Sequence, residues 1–167
     1  MILGMSTAAF THLHVIISLI GILAGIVVAL GMCDGQRLPG WTATFLITTV
    51  LTSATGFLFH SAAFGPPHVI GVISLVILAI AIVALYVKNL VGAARWLYIV
   101  TAILALYLNS FVGVIQAFQK LAFFHALAPT QKEPPFLVAQ LLVLVFFVVV
   151  SVIALKSFPA RMVRSVV

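Results

Sequence analysis

Phe136 to Leu155 reads FLVAQLLVLVFFVVVSVIAL. Across these twenty residues only Gln140 and Ser151 are polar, and the apolar positions run on without the alternation a strand would show. A helix rises about 1.5 Å per residue, so about twenty apolar residues match the hydrocarbon thickness of a bilayer. The stretch predicts a membrane span, and the composition of the whole chain agrees. The 167 residues are 65% hydrophobic and 6% charged, where a soluble domain carries about 25% charged residues. With a mean hydropathy of +1.37, the chain lacks the polar groups to clothe a water-soluble surface.

Working outward from this span, four more apolar stretches of similar length appear. The expected spans are about 9–31, 41–62, 68–86, 95–118 and 136–155, with the helical pattern of the fourth able to continue to His125. Turn residues separate them: Asp34-Gly35-Gln36-Arg37-Leu38-Pro39-Gly40, then Gly65-Pro66-Pro67, then Lys88-Asn89 with Gly92, then Pro129 to Pro135. The fold class expected is all-α integral membrane, a five-transmembrane-helix bundle formed by a single transmembrane domain over 1–167. Continuous rather than alternating apolar runs argue against a β-barrel. No Lys or Arg precedes Arg37, so the first stretch lacks the basic flank of a signal peptide and reads as a mature span.

The net charge of +6 sits between and after the apolar runs. It reads as membrane-flanking charge, with no nucleic acid as partner. With a cytoplasmic C-terminus, the inside holds Arg37, Lys88, Arg95, Lys156, Arg161 and Arg164 and the outside only Lys120 and Lys132. Cytoplasmic loops carry the excess of Lys and Arg, so the expected orientation is N-out/C-in. Asp34 and Glu133 are the sole acids and Cys33 the sole cysteine. Paired-carboxylate chemistry, a carboxylate cation cage, an internal disulfide and a CxxC motif are therefore excluded. No acid within the spans stands ready to orient a histidine beside a serine, and no nucleotide or zincin motif is present.

The histidines carry the most specific signal. His12 and His14 lie at the outer end of the first span, His60 and His68 flank the second hairpin, and His125 follows the fourth span. All five fall on one side in this topology. Helical phase places His14 with Ser18, Gly21 and Gly25, and His60 with Gly56, Ser53 and Thr49, both small faces of the kind that pack inside membrane bundles. His12 lines up with Ile16, Leu19 and Leu23 and faces lipid. Asn109, Gly113 and Gln116 share a face of the fourth span, and Gln140 lies near the outer end of the fifth. Intramembrane polar groups are costly and face the bundle interior, so His14, His60, His68, Asn109, Gln116 and Gln140 are expected to converge. Neutral imidazoles without carboxylates suit haem iron, copper or zinc. The same residues also fit plain packing, since histidine tolerates the membrane interface. The threonines of the second span read as helix glue that bonds its own carbonyls. Trp41, Trp96, Tyr86 and Tyr98 read as an aromatic belt, and Phe118, Phe123 and Phe124 as an outer anchor.

The segments NSFVGVIQAFQK (109–120) and LAPTQKEPPF (127–136) resemble a group of small multi-span bacterial membrane proteins without an assigned activity. That resemblance implies a bacterial inner (cytoplasmic) membrane location. The first three spans, with outer histidines about a Pro-His hairpin, resemble haem-b-type membrane proteins. This implies a haem b site, although ligand pairs at both membrane faces are missing.

The function expected is a haem- or metal-binding membrane protein with a histidine cluster near the periplasmic face. It would serve electron transfer with a quinone or a periplasmic redox partner. His14, His60 and His68 are the expected ligands of haem b, or, joined by His125, of Cu or Zn, with Asn109 and Gln116 orienting an imidazole or a bound quinone. The alternative is a non-catalytic accessory subunit of a larger membrane complex. A small transporter or channel ranks third, because the inner halves of the first, third and fifth spans offer almost no polar groups.

Overall fold

The computed structural model describes residues 1–59 and 64–159. Among them the regular structure is helical: α1 (Thr7–Cys33), α2 (Pro39–Gly56), α3 (Pro66–Ile82) continued by a π-helical turn (Val83–Val87), α4 (Ala93–Lys120), the short α5 (Ala122–Leu127) and α6 (Pro134–Ser157). Local chemistry sets the starts. The Ser6 hydroxyl accepts the Ala9 N–H at 3.2 Å, while Pro39, Pro66 and Pro134 open their helices where an N–H has no helical partner.

Four of these helices are long and apolar enough to cross a membrane: Thr7–Cys33, Pro66–Val87, Ala93–Lys120 and Pro134–Ser157. The chain is a multi-pass membrane protein. α2 stands apart. It has 18 residues, about 27 Å at 1.5 Å per residue, and its threonines lower its apolarity. The expected second span reached residue 62, but the helix ends at Gly56. Phe57 and Leu58 donate their N–H groups to Ala54 and Thr55 three residues back, a tightened exit from the helix. The fourth helix ends at Lys120, close to the expected bound of 118, and α5 carries the helical pattern past His125 after a break. Leu121 takes an extended backbone and separates α4 from α5.

The helices close into a ring in which α2 meets α1, α1 meets α6, α6 meets α4, α4 meets α3 and α3 meets α2. α4 also touches α1 across the ring. Its buried stripe runs through Tyr98, Thr101, Ala102, Ala105, Leu106 and Asn109, and the alanines let neighbouring helices approach closely. Gly25 marks the tightest crossing: a Cβ there would lie 2.8 Å from Phe45 Cδ2 and against Leu106 Cδ1. The core continues through Leu78, Ala81, Ile99, Ile103 and Ala154.

One end of the bundle carries the basic loops. There Arg95 donates to the Phe158 carbonyl and, at 3.0 Å, to the Leu155 carbonyl. Arg37 donates to the Pro159 carbonyl at 3.1 Å and lies 5.7 Å from the Phe158 ring centroid. Two guanidinium groups thus close the end of α6, where helix carbonyls lack partners and cations are favoured. Tyr98, expected in the aromatic belt, is 1% exposed instead. It lies on the buried stripe of α4 against Phe158, while Trp41, Trp96 and Tyr86 remain at the surface. Phe118, expected as an outer anchor, is likewise buried, against Phe124 and Phe136.

Candidate functional site: the histidine end

At the opposite end, His14 is the best-positioned imidazole. It is half-buried, and its Nδ1 lies 2.8 Å from Thr55 Oγ1. The Thr55 hydroxyl has one proton, which it donates to the Leu51 carbonyl at 2.6 Å. It therefore accepts from His14, which fixes the Nδ1–H tautomer and leaves a lone pair on Nε2. Phe59 holds the ring edge-on, with centroids 5.2 Å apart, and Phe59 packs in turn on the buried Phe10. Gly56 lies beside the ring: among the described residues a Cβ there would find only His14 Cε1 within 4 Å, at 3.9 Å.

His68 has the opposite polarity. The Gly65 N–H donates to His68 Nδ1 at 3.1 Å, while the His68 N–H donates to the Gly65 carbonyl at 3.0 Å. This reciprocal bond caps α3. Because Nδ1 accepts, the proton of the neutral ring sits on Nε2. The ring lies between Phe64 and Phe57, at 5.1 and 5.8 Å. In this tautomer His68 is a hydrogen-bond donor, and ligation through Nε2 would require the cap to break. His60 lies outside the described residues. His125 is exposed on α5, with Nδ1 3.3 Å from the Phe118 carbonyl. His12 is exposed. Among the described residues no three of His, Cys, Asp and Glu gather closely enough to hold a metal ion.

The expected supporting groups are placed elsewhere. Asn109 is buried at the junction of α1, α2 and α4. Its Oδ1 accepts from the Ser18 hydroxyl at 2.9 Å, and its Nδ2 lies 3.4 Å from where a Cβ on Gly21 would sit. It links α4 to α1, and among the described residues it bonds no imidazole. Gln116 is exposed, because the far turns of α4 have left the core stripe. Gln140 is buried and donates to the Phe111 carbonyl at 3.3 Å, with Oε1 unpaired. The hydroxyls of Thr44, Thr48, Thr49, Thr52 and Thr55 each bond a carbonyl four residues back. That is the expected glue chemistry, and in Thr55 it also orients His14.

Side chains occupy the space over several of the bundle's glycines. Thr48 and Thr49 face Gly21, Phe45 faces Gly25, and Phe57 faces Gly71 within 3.0 Å of a Cβ position. A large group at this end would lie beside His14 and Gly56, toward the rim of the bundle. No protein-family model matches the chain, and no curated protein or solved structure matches it.

Proposed function

We propose that the chain binds a haem b or a transition metal (Cu or Zn) at the histidine end and serves electron transfer in a bacterial inner membrane. In this reading all five long helices cross the bilayer, N-out/C-in, and the site faces the periplasm. One observation carries it: the His14 ring is oriented by Thr55 and Phe59, and among the described residues nothing bonds its Nε2. A ligating imidazole has this form, its second nitrogen fixed by a hydrogen bond. His60, four residues beyond Gly56, is the natural second ligand by sequence. A bound haem or metal would supply the redox centre. The protein supplies the lone pair, its orientation and a partly dry setting.

The test is an absorption spectrum with metal analysis on full-length protein purified from a haem-replete host. The expected result is a Soret band, or stoichiometric Cu or Zn, that His14→Ala abolishes. Thr55→Val should shift or weaken it by 10–100-fold in affinity, the usual cost of losing a partner that orients a metal ligand. Colourless, metal-free protein overturns the reading. Co-purification of stoichiometric partners would then favour the accessory-subunit alternative.

A further inference from the structure

A cavity of about 230 Å³ opens at the other end of the molecule, remote from the histidines. Five segments wall it: the end of α1, the α1–α2 loop, the start of α2, the π-helical turn with the loop after it, and α4, with Phe158 closing one side. Arg37, Thr42, Tyr86 and Tyr98 bring polar heads to it, and Met32 and Phe158 supply an apolar wall. Tyr98 is 1% exposed as a whole, and its phenol lies close to the Thr42 hydroxyl and near Arg37 and Tyr86.

The backbone around this cavity is irregular. α3 widens into π-helix at Val83–Val87, which supplies Leu85 and Tyr86 to the wall. Asn89 and Leu90 follow with φ of 52° and 62°, two successive non-glycine residues in the left-handed region. Such a conformation costs energy and persists only where surrounding structure imposes it. Here Leu90 is 1% exposed, and both residues border the cavity. π-turns and left-handed residues cluster at functional sites.

The chemistry selects the ligand. Arg37 spends one N–H on Pro159, and a guanidinium carries five in a planar fork suited to phosphate. No acid lines the cavity. Asp34, the sole acid near this end, sits on the preceding turn. The ends of membrane-spanning helices lie at the level of lipid headgroups, and the donors sit beside an apolar wall. A neutral quinone would draw little on the positive charge. We propose that this cavity binds the phosphate of an anionic phosphoglycerol amphiphile, with the phosphate on Arg37 and the tyrosine hydroxyls and the chains leaving along the bundle surface. The inference does not depend on the histidine end.

The experiment uses full-length protein in a neutral detergent. Its thermal midpoint is followed while phosphatidylglycerol, phosphatidylcholine or inorganic phosphate is titrated in. Phosphatidylglycerol should raise the midpoint saturably and phosphatidylcholine should not. Arg37→Gln should weaken the effect at least about tenfold, as loss of a charge-assisted hydrogen bond implies, and Tyr98→Phe should weaken it severalfold. Lys156→Gln, basic at the same end but outside the cavity, should leave it intact. Saturation by inorganic phosphate at the same affinity would assign the site to free phosphate. Equal responses to both lipids, or equal loss in Lys156→Gln and Arg37→Gln, overturns the proposal. Should Arg37→Gln not fold, Tyr98→Phe decides alone: a titration unchanged from wild type overturns it.

Discussion

Asn109 shows what a single polar side chain does inside this bundle. Its carbonyl oxygen holds the Ser18 hydroxyl. Interhelical hydrogen bonds in membranes contribute about 0.6 kcal/mol on average and up to about 1.7. Asn109→Leu should therefore lower stability by about 1 kcal/mol, and a double-mutant cycle with Ser18→Ala should recover about 0.6 kcal/mol as coupling. Both are measurable by reversible unfolding in mixed micelles. Gly25 is the opposite case, valued for having no side chain. Gly25→Ala drives a methyl into Phe45 and Leu106 and should cost about 1–3 kcal/mol by overpacking. Helical phase made the small faces of His14 and Asn109 legible in the sequence. It did not reveal Thr55 as the partner of His14, because hydroxyls at that spacing ordinarily bond their own helix, and Thr55 does both. Nor did it separate Tyr98 from Tyr86. Both lie near a helix end, and only the three-dimensional packing of Phe158 tells the buried ring from the exposed one.

At the scale of elements, the two ends of α6 are held by different chemistry. At its start, Glu133 accepts from the Thr130 N–H at 3.1 Å, the Thr130 hydroxyl at 2.9 Å and the Lys132 N–H at 3.0 Å. Slight desolvation raises its pKa, but these hydrogen bonds together outweigh it and hold the carboxyl below its ordinary value. A depressed folded pKa stabilises the folded loop above the unfolded value and loses that contribution as pH falls through the folded one. The protection factors of the Thr130 and Lys132 amides, taken relative to intrinsic exchange at each pH, should thus fall as the pH drops below the ordinary glutamate range. Glu133→Gln should show fast exchange already at neutral pH. At the far end, Arg95→Ala removes two charge-assisted hydrogen bonds, each worth about 1.5–3 kcal/mol. The Phe158 amide, bonded to Ala154, should then lose protection. Arg95→Lys should restore only part, since a point ammonium cannot reproduce the planar fork. The long apolar elements were legible from length and hydropathy. The early stop of α2 and the π-turn were not, because each is decided by packing: Phe57 turns against Gly71, and burial of Leu90 draws the chain into a wider turn.

For the molecule as a whole, the distribution of charge makes the two ends unlike, and that difference is what a membrane reads. Arg37, Lys88, Arg95 and Lys156 gather at the end where α6 finishes, while Lys120 and Lys132 lie at the end where it starts. An excess of Lys and Arg is retained on the cytoplasmic side, so the end bearing the cavity should face inward and the histidine end outward. Cys33 is the sole cysteine, and its Sγ is turned to the Val150 carbonyl at 3.6 Å. Cys33→Ala therefore gives a clean background in which to place one thiol at each end. In that background Lys132→Cys, on the exposed loop before α6, should react with a membrane-impermeant maleimide in intact cells. Lys88→Cys, exposed beside the π-turn, should react only after the membrane is opened. The reverse pattern would move the histidines to the cytoplasmic side and make a periplasmic redox partner impossible for His14. Labelling of both positions in intact cells would show that α4, the one long helix between them, does not cross.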